Sequence, residues 1–201
     1  MKSRILFLIA FMAFLFQGCI VKSLHPFFTE TEVLFKKEIL NTWIDQDSAS
    51  WIIQTVKEKP NAYGMKYIKD GKEAYFLVHL FELEGALYLD FLPVSSTARS
   101  VEIFDFHLLP THSVAKVDKV SSEELVIKWF NEEWLNTLFK QNRIKIAHEA
   151  IMDETPTGED EKTYVLTAPT KELQKFLIKY GNEDAAFAGD NTVWLRLKRT
   201  I

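Results

Sequence analysis

Short apolar runs separated by turn residues dominate the chain from Val33 onward. The runs are rich in aromatic and β-branched residues, and turn signals interrupt them about every 8–12 residues, as in antiparallel sandwiches and barrels. The pattern therefore predicts a mostly β fold, an antiparallel β-barrel or sandwich. After a first strand that contains Trp43, we predict ten further strands at residues 49–56, 64–68, 73–83, 86–94, 101–109, 112–120, 124–130, 144–150, 162–167 and 192–198.

Two glycine-containing pairs predict the turns between the central strands. Asp70-Gly71 and Glu84-Gly85 each stand between two apolar runs. An Asp-Gly pair in this position is the strongest short-range signal for a β-hairpin. We therefore expect three consecutive strands joined by two tight turns.

Two segments depart from the strand pattern and predict packed amphipathic helices at residues 132–141 and 171–180. Asn131 is the expected N-cap of the first helix, whereas Thr170 and Gly181 are the expected N-cap and end of the second. Their apolar stripes favour packing against the sheet over binding a partner helix. The stripes, with helical spacing, consist of Trp134, Leu135, Leu138 and Phe139 and of Leu173, Phe176, Leu177 and Tyr180.

The predicted central hairpin is apolar on both of its faces. A strand of this kind is covered on both faces, or it lines an apolar cavity on one of them. The two helices can provide the cover. The alternative is an interior pocket for an apolar ligand. The candidate pocket residues are Tyr75, Leu77, His79, Phe81, Leu89 and Phe91.

The first residues of the chain have the organisation of a secretory signal peptide. Lys2 and Arg4 precede an uncharged apolar stretch at residues 5–16, which is too short for a comfortable membrane span. The segment Leu15-Phe16-Gln17-Gly18-Cys19, which contains the single cysteine of the chain, resembles a bacterial lipobox. This resemblance implies cleavage before Cys19 and attachment of acyl chains to its thiol.

The resemblance divides the chain into three parts: a cleaved lipoprotein signal peptide at residues 1–18, a lipidated N-terminal linker at residues 19–32, and one β-rich globular domain at residues 33–201. Within the linker we expect Phe27 and Phe28 to dock on the domain, because burial of each ring stabilises the fold by about 1.5–3 kcal/mol. With its thiol acylated, the mature chain has no cysteine left for a disulfide.

The net charge of the chain limits the classes of partner that it can bind, and the residue after Cys19 indicates the membrane in which it is anchored. The chain has 24 Lys and Arg against 28 Asp and Glu, a formal net charge of −4. This balance argues against nucleic acid as a partner and indicates no polybasic patch for anionic lipid. Membrane attachment is expected through the acyl chains on Cys19. Because Ile20 replaces the acidic residue that retains some lipoproteins at the inner membrane, the resemblance implies the outer membrane, facing the periplasm.

The start of the domain resembles lipocalin-like barrels. Leu40-Asn41-Thr42-Trp43 is similar to the Gly-x-Trp start of such barrels, and the last predicted strand offers Arg196 or Arg199. The resemblance implies that Trp43 and Arg196 close the barrel structurally through a cation–π contact. The Lys22-Ser23-Leu24-His25-Pro26 segment and its surroundings also resemble an uncharacterised bacterial lipoprotein family, which implies no known activity.

The chain contains no recognisable catalytic motif. His79, His107 and His112 lie on successive predicted strands, but their spacing is not that of a zinc site, and no cofactor is expected. There is no Gly-x-Ser-x-Gly motif and no glycine-rich phosphate loop. We therefore expect a binding or accessory lipoprotein that is not an enzyme, with an apolar small ligand or an envelope protein as partner. The alternative is a periplasmic hydrolase with a histidine-containing pocket.

Overall fold

The computed structural model describes residues 20–96, 108–152, 162–188 and 194–199. Within these ranges the chain forms twelve strands, three α-helices and one short 3-10 helix at Lys37–Ile39. The strands are β1 (Lys22–Ser23), β2 (Val33–Leu34), β3 (Asn41–Ile44), β4 (Ser50–Val56), β5 (Lys59–Lys69), β6 (Lys72–Leu83), β7 (Ala86–Ser96), β8 (Ser113–Val120), β9 (Glu124–Trp129), β10 (His148–Met152), β11 (Lys162–Leu166) and β12 (Trp194–Arg199). The helices are α1 (Glu132–Lys140), α2 (Thr170–Tyr180) and α3 (Asp184–Ala188).

Eight of these strands form a closed antiparallel barrel, as the sequence predicted. Strands β3 to β9 pair in chain order, β9 pairs with β12, and β12 returns to β3. This is the up-and-down order of lipocalin-like barrels. The seam between the first and last barrel strands is short, with Trp43 opposite Arg199 and Ile44 opposite Lys198. Closure removes the open sheet edges that would otherwise expose unpaired backbone groups.

The two predicted hairpin turns are present, and their backbone explains the sequence. Asp70 and Gly71 have φ angles of 51° and 73°, and Glu84 and Gly85 have φ angles of 47° and 82°. Positive φ at both central residues is the type I′ turn that matches the twist of two-residue hairpins. Glycine adopts this conformation without steric cost, which accounts for its place in both pairs.

Alternation along the barrel strands divides the apolar side chains between two cores. In β6, Val78 and Leu80 belong to the core inside the barrel, whereas Phe81 and Leu83 belong to a second core outside it. We call the second one the outer core. It lies between the outer face of the barrel and the helices, and it includes Val21, Phe27, Tyr88, Val114, Phe130, Leu135, Leu166, Leu173, Phe176, Leu177 and Phe187.

Both predicted helices form and pack on the outer core. The side chain of Asn131 accepts a hydrogen bond from the backbone N–H of Trp134 and caps α1 as predicted. The prediction that Thr170 caps α2 is wrong: Pro169 occupies the cap position, and Thr170 is the first helical residue. Proline's fixed φ suits a helix start, and no side-chain cap hydrogen bond forms at this end. None of the described helices is long and apolar enough to cross a membrane.

Two predicted strands lie outside the barrel. Strands β10 and β11 pair with each other, and β1 adds to β11 in parallel, so that a separate three-stranded sheet forms. Residues 144–147 were predicted as part of a strand and are not one. The apolar residues of this region serve the outer core rather than the barrel, since Leu166 is fully buried there and Tyr164 packs against it. Of the predicted strand 101–109, residues 101–107 lie outside the described residues, and residues 108–109 form no strand.

The segment predicted as a linker is part of the folded domain from its first described residue. Ile20 forms a β-bridge with Asn131, and Val21 is fully buried. Phe27 is also fully buried and Phe28 is half-buried, so the expectation that both rings dock is confirmed. We call residues 20–28 the arm. Cys19 and the predicted signal peptide lie outside the described residues.

Candidate functional site

The six residues of the predicted ligand pocket do not line one cavity. Leu89 and Phe91 are buried inside the barrel, opposite Leu80 and Val78. The other four lie on the alternate positions of β6 that face outward, and of these Phe81 is buried in the outer core. Side chains of a strand alternate between its faces, and the sheet therefore separates the two sets. The four outward-facing residues are Tyr75, Leu77, His79 and Phe81.

The barrel interior is packed with large side chains. Trp43 is fully buried, and its indole N–H donates a hydrogen bond to the carbonyl of Ile39 at 2.9 Å. Trp51, Phe91 and Trp129 contact one another in series, with ring centroids 6.4 and 4.7 Å apart. On the inner face of the central hairpin, the described side chains therefore pack against one another in the barrel core.

The backbone register shows which arginine of β12 lies opposite Trp43, the residue predicted to close the barrel with Arg196. Arg199 lies opposite Trp43, whereas Arg196 lies opposite Val126. The side chain of Arg196 is outside the described part of the structure. Trp43 itself belongs to the seam between the first and last barrel strands.

Two of the three candidate histidines lie beside a buried carboxylate. His112 Nδ1 is 2.7 Å from Oδ1 of Asp90, which is fully buried on β7. His79 is the cross-strand neighbour of Asp90 on β6. His107 lies outside the described residues. In the described ranges, no group of three histidine, cysteine or acidic side chains can hold a metal ion.

The surroundings of Asp90 indicate a structural role. Its second oxygen accepts a hydrogen bond from the backbone N–H of Phe27 at 3.0 Å, and the ring of Phe28 lies 4.3 Å from that of His79. Burial lowers the pKa of His79 below its ordinary value, because the charged imidazolium loses hydration there. The two histidines and the carboxylate thus seat the arm on the outer face of the barrel.

An open groove lies elsewhere, between α2 and residues 142–146. This groove has a volume of about 430 Å³, within the usual range for small-molecule sites. Its apolar floor and its charged rim come from the same two segments. The floor consists of Ile144, Ile146, Phe176 and Tyr180. The rim carries four cations and one carboxylate, Arg143, Lys145, Lys175, Lys179 and Glu172.

The first wall of the groove follows from the way α1 ends. Asn142 adopts a left-handed φ of 52°, and its N–H bonds to the carbonyl of Phe139. The next N–H, of Arg143, bonds to the carbonyl of Leu138. These are the two hydrogen bonds of a Schellman motif, with asparagine in the glycine position. The chain therefore reverses, and Arg143 and Lys145 remain exposed while Ile146 is buried.

The second wall is one face of α2. Lys175, Phe176, Lys179 and Tyr180 recur at the three- and four-residue spacing that brings side chains together on a helix. Phe176 is buried and Tyr180 is half-buried, whereas both lysines are exposed. Lys179 Nζ lies 4.7 Å from the centroid of the Tyr180 ring, a cation–π contact at the edge of the groove.

The electrostatics of the groove differ from those of the whole chain. Four cations surround it in a protein whose formal net charge is −4. None of the four forms an ion pair with a carboxylate among residues 20–96, 108–152, 162–188 and 194–199. The groove therefore favours an anionic group above an apolar surface.

The sequence alone did not predict this groove, because its two walls are far apart in the chain. The negative net charge of the whole chain also conceals the local excess of positive charge around the groove. A local signal was present in α2, where Lys171, Lys175 and Lys179 repeat every four residues along the exposed side.

The comparisons with protein families, curated proteins and solved structures found no match to this chain.

Proposed function

We propose that this chain is a lipid-anchored lipoprotein of the bacterial cell envelope whose barrel domain binds a partner and catalyses no reaction. The lipobox-like segment that ends in Cys19 supports the anchor. Ile20 after the cysteine favours the outer membrane, facing the periplasm. A partner that is anionic and partly apolar fits the domain, and an envelope protein or a lipid can both meet this description.

The single observation that carries the binding role is the groove of α2 and residues 142–146. The described side chains on the inner face of the central hairpin belong to the packed core of the barrel. The groove, by contrast, combines an open apolar floor with a rim rich in cations that no described carboxylate pairs. A surface partner is therefore favoured over an interior one.

The anchor is tested by labelling cells with radioactive palmitate. The wild-type chain is expected to carry label on Cys19 and to sediment with membranes, whereas Cys19→Ser is expected to lose both properties. Continued labelling of Cys19→Ser would exclude the lipobox interpretation. A Ser23→Ala variant is not a suitable control, because Ser23 is buried in the arm, but Ser122→Ala changes an exposed residue and should leave labelling intact.

A hydrolase is the second candidate, and the pair of Asp90 and His112 is the observation that favours it. A carboxylate that orients a histidine is a component of hydrolytic sites. Asp90 is fully buried, however, and its other oxygen is engaged by the arm. Hydrolysis of ester or amide substrates by the purified chain, lost in His112→Ala with the fold intact, would favour the hydrolase over the binding protein.

A further inference from the structure

We infer that the groove binds the phosphate-bearing headgroups of acidic lipids in the same membrane that holds the anchor, so that the domain lies against that membrane. This inference rests on the proposed lipid anchor at Cys19. It names the occupant of the groove, which the proposed function leaves as an anionic, partly apolar partner.

The first argument is the position of the groove relative to the anchor. Ile20, the residue after Cys19, is bridged to Asn131, which caps α1 through the N–H of Trp134. The ring of Trp134 lies 5.5 Å from the ring of Tyr180, which lines the groove. A short series of contacts therefore connects the anchored end of the arm to the edge of the groove.

The second argument is that the described residues following Cys19 are fixed to the domain and do not form a flexible tether. The arm is held by β1, by the buried side chains of Val21 and Phe27, and by the hydrogen bond to Asp90. An acyl chain on Cys19 would thus fix the domain within a few residues' reach of the bilayer surface. The groove, which the contacts through Asn131 and Trp134 connect to this end of the arm, would then be held close to the lipid headgroups.

The third argument is the chemistry of the exposed side of α2. Ile178 is 39% exposed and lies one turn along the helix from Lys175, on the side of the lysines that faces away from the groove. Apolar and cationic side chains side by side are typical of helices that lie at a membrane interface, where lysine stems cover apolar surface and their ammonium groups reach phosphates. Each cation near an acidic membrane surface contributes about fivefold to membrane affinity.

The experiment uses the full, acylated chain reconstituted into vesicles of phosphatidylcholine alone or of phosphatidylcholine mixed with phosphatidylglycerol. Mass spectrometry follows the rate of acetylation of individual lysines. We expect Lys175 and Lys179 to react about tenfold more slowly in the acidic vesicles, and the protection to disappear at about 1 M salt, where the Debye length falls to about 3 Å. Lys57 and Lys72, which are exposed in two barrel turns, are the internal controls and should react equally in both vesicles. Equal rates at Lys175 and Lys179 in both vesicles would overturn the inference.

Charge-reversal variants assign the effect to the groove. Lys145, on the other wall of the groove, should be protected by the acidic vesicles in the same way as Lys175 and Lys179. The double variant Lys175→Glu with Lys179→Glu should remove this protection, whereas Lys57→Glu with Lys72→Glu, which changes net charge equally, should retain it. All four lysines are exposed, so circular dichroism is expected to show an unchanged fold. Protection of Lys145 that survives the first variant would contradict the inference.

The experiment distinguishes a wrong lipid-anchor proposal from a wrong inference about lipid binding in the groove. The mass of the Cys19 peptide reports acylation independently of lysine reactivity. If Cys19 carries no acyl group, the proposed function fails, and the chain is then added to preformed vesicles from outside. Protection of Lys175 and Lys179 by acidic vesicles alone would still support the groove, whereas equal reactivity would overturn it.

Discussion

The carboxylate of Asp90 accepts a hydrogen bond from the backbone N–H of Phe27 at 3.0 Å, although 63 residues separate the two in the chain. Its other oxygen lies 2.7 Å from His112 Nδ1. The backbone of His112 in turn exchanges two hydrogen bonds with Ser23, of 2.9 and 2.8 Å. The buried carboxylate thus holds the arm at Phe27, and the backbone of its other partner, His112, holds the arm at Ser23. The segment nearest the proposed anchor is fixed by polar as well as apolar contacts.

We predict that Asp90→Ala lowers the free energy of unfolding by about 2–4 kcal/mol, because it leaves a buried N–H without an acceptor and removes the partner of His112. Asp90→Asn keeps an acceptor oxygen and should cost less. Denaturant unfolding at neutral pH measures both values. Asp47→Ala, at an exposed carboxylate in a hairpin, is the control and should change stability by less than about 0.5 kcal/mol. Similar losses in Asp90→Ala and Asp47→Ala would contradict the role of the arm contact.

Gly181 is required by space rather than by backbone conformation. Its φ is −64°, which any residue adopts, yet an added Cβ would overlap the hydroxyl of Tyr88 and crowd the carbonyl of Leu177. Tyr88 is fixed in the outer core, where burial raises its pKa to about 12. We predict that Gly181→Ala destabilises the fold by about 1–3 kcal/mol.

The control for this prediction is a second variant of the same contact. Tyr88→Phe removes the hydroxyl that an alanine at position 181 would meet. The double variant should therefore be less destabilised than the sum of the two single variants, as thermal unfolding can show. Simple additivity of the two losses would argue that the crowding comes from the Leu177 carbonyl alone.

The barrel was predictable from sequence because its signals are local. Alternating apolar residues and the pairs Asp70-Gly71 and Glu84-Gly85 specify strands and tight turns within a few residues. The docking of Phe27 and Phe28 was predictable from their apolar rings, but the place where the arm docks depends on distant partners, Asp90 and Asn131. The sequence of the arm itself does not indicate which part of the barrel it packs against.

The candidate site was less predictable for the same reason. The pattern of residues 73–83 correctly indicated a strand covered on both faces, but periodicity alone cannot distinguish a second core from a ligand cavity. The structure places α1 and α2 over the outer face. The groove depends on a chain reversal at Asn142 and on packing of residues 142–146 beside Lys175 and Lys179, which no single segment encodes.

Trp43 links the sequence pattern to the closure of the barrel. It is fully buried at the seam of β3 and β12 and donates its indole hydrogen bond to Ile39. We predict that Trp43→Ala lowers the free energy of unfolding by about 3–5 kcal/mol, since it opens a large cavity at the shortest strand pairing of the barrel. Trp134→Ala, at a half-buried tryptophan of α1, should cost less in the same urea titration. An unchanged unfolding midpoint for Trp43→Ala would exclude a role in closure.

Glu32 provides a prediction about pH. Its Oε2 accepts hydrogen bonds from the hydroxyl of Thr29 at 2.5 Å, from the N–H of Thr29 at 2.8 Å and from Gln174 of α2 at 2.9 Å. Together with a bond from the Thr31 hydroxyl to Oε1, these bonds, led by the Thr29 hydroxyl and opposed in part by burial, lower the pKa of Glu32 from 4.5 to about 2. A carboxylic acid accepts such bonds poorly, so the turn and its contact with α2 depend on the charged form.

The sign of the effect follows from the two pKa values. Because the folded-state pKa lies below the unfolded one, the unfolded chain binds more protons between pH 4.5 and about 2. The stability that Glu32 contributes is therefore complete above pH 4.5 and is lost as the pH falls toward 2. In Glu32→Gln the melting temperature should fall less steeply across this window than in the wild type, whereas Glu30→Gln, which removes a carboxyl from the same turn, should retain the wild-type slope. A carbon-13 NMR titration of the Glu32 carboxyl with a midpoint near 4.5 would show that the hydrogen bonds to Thr29 and Gln174 do not hold the charged form.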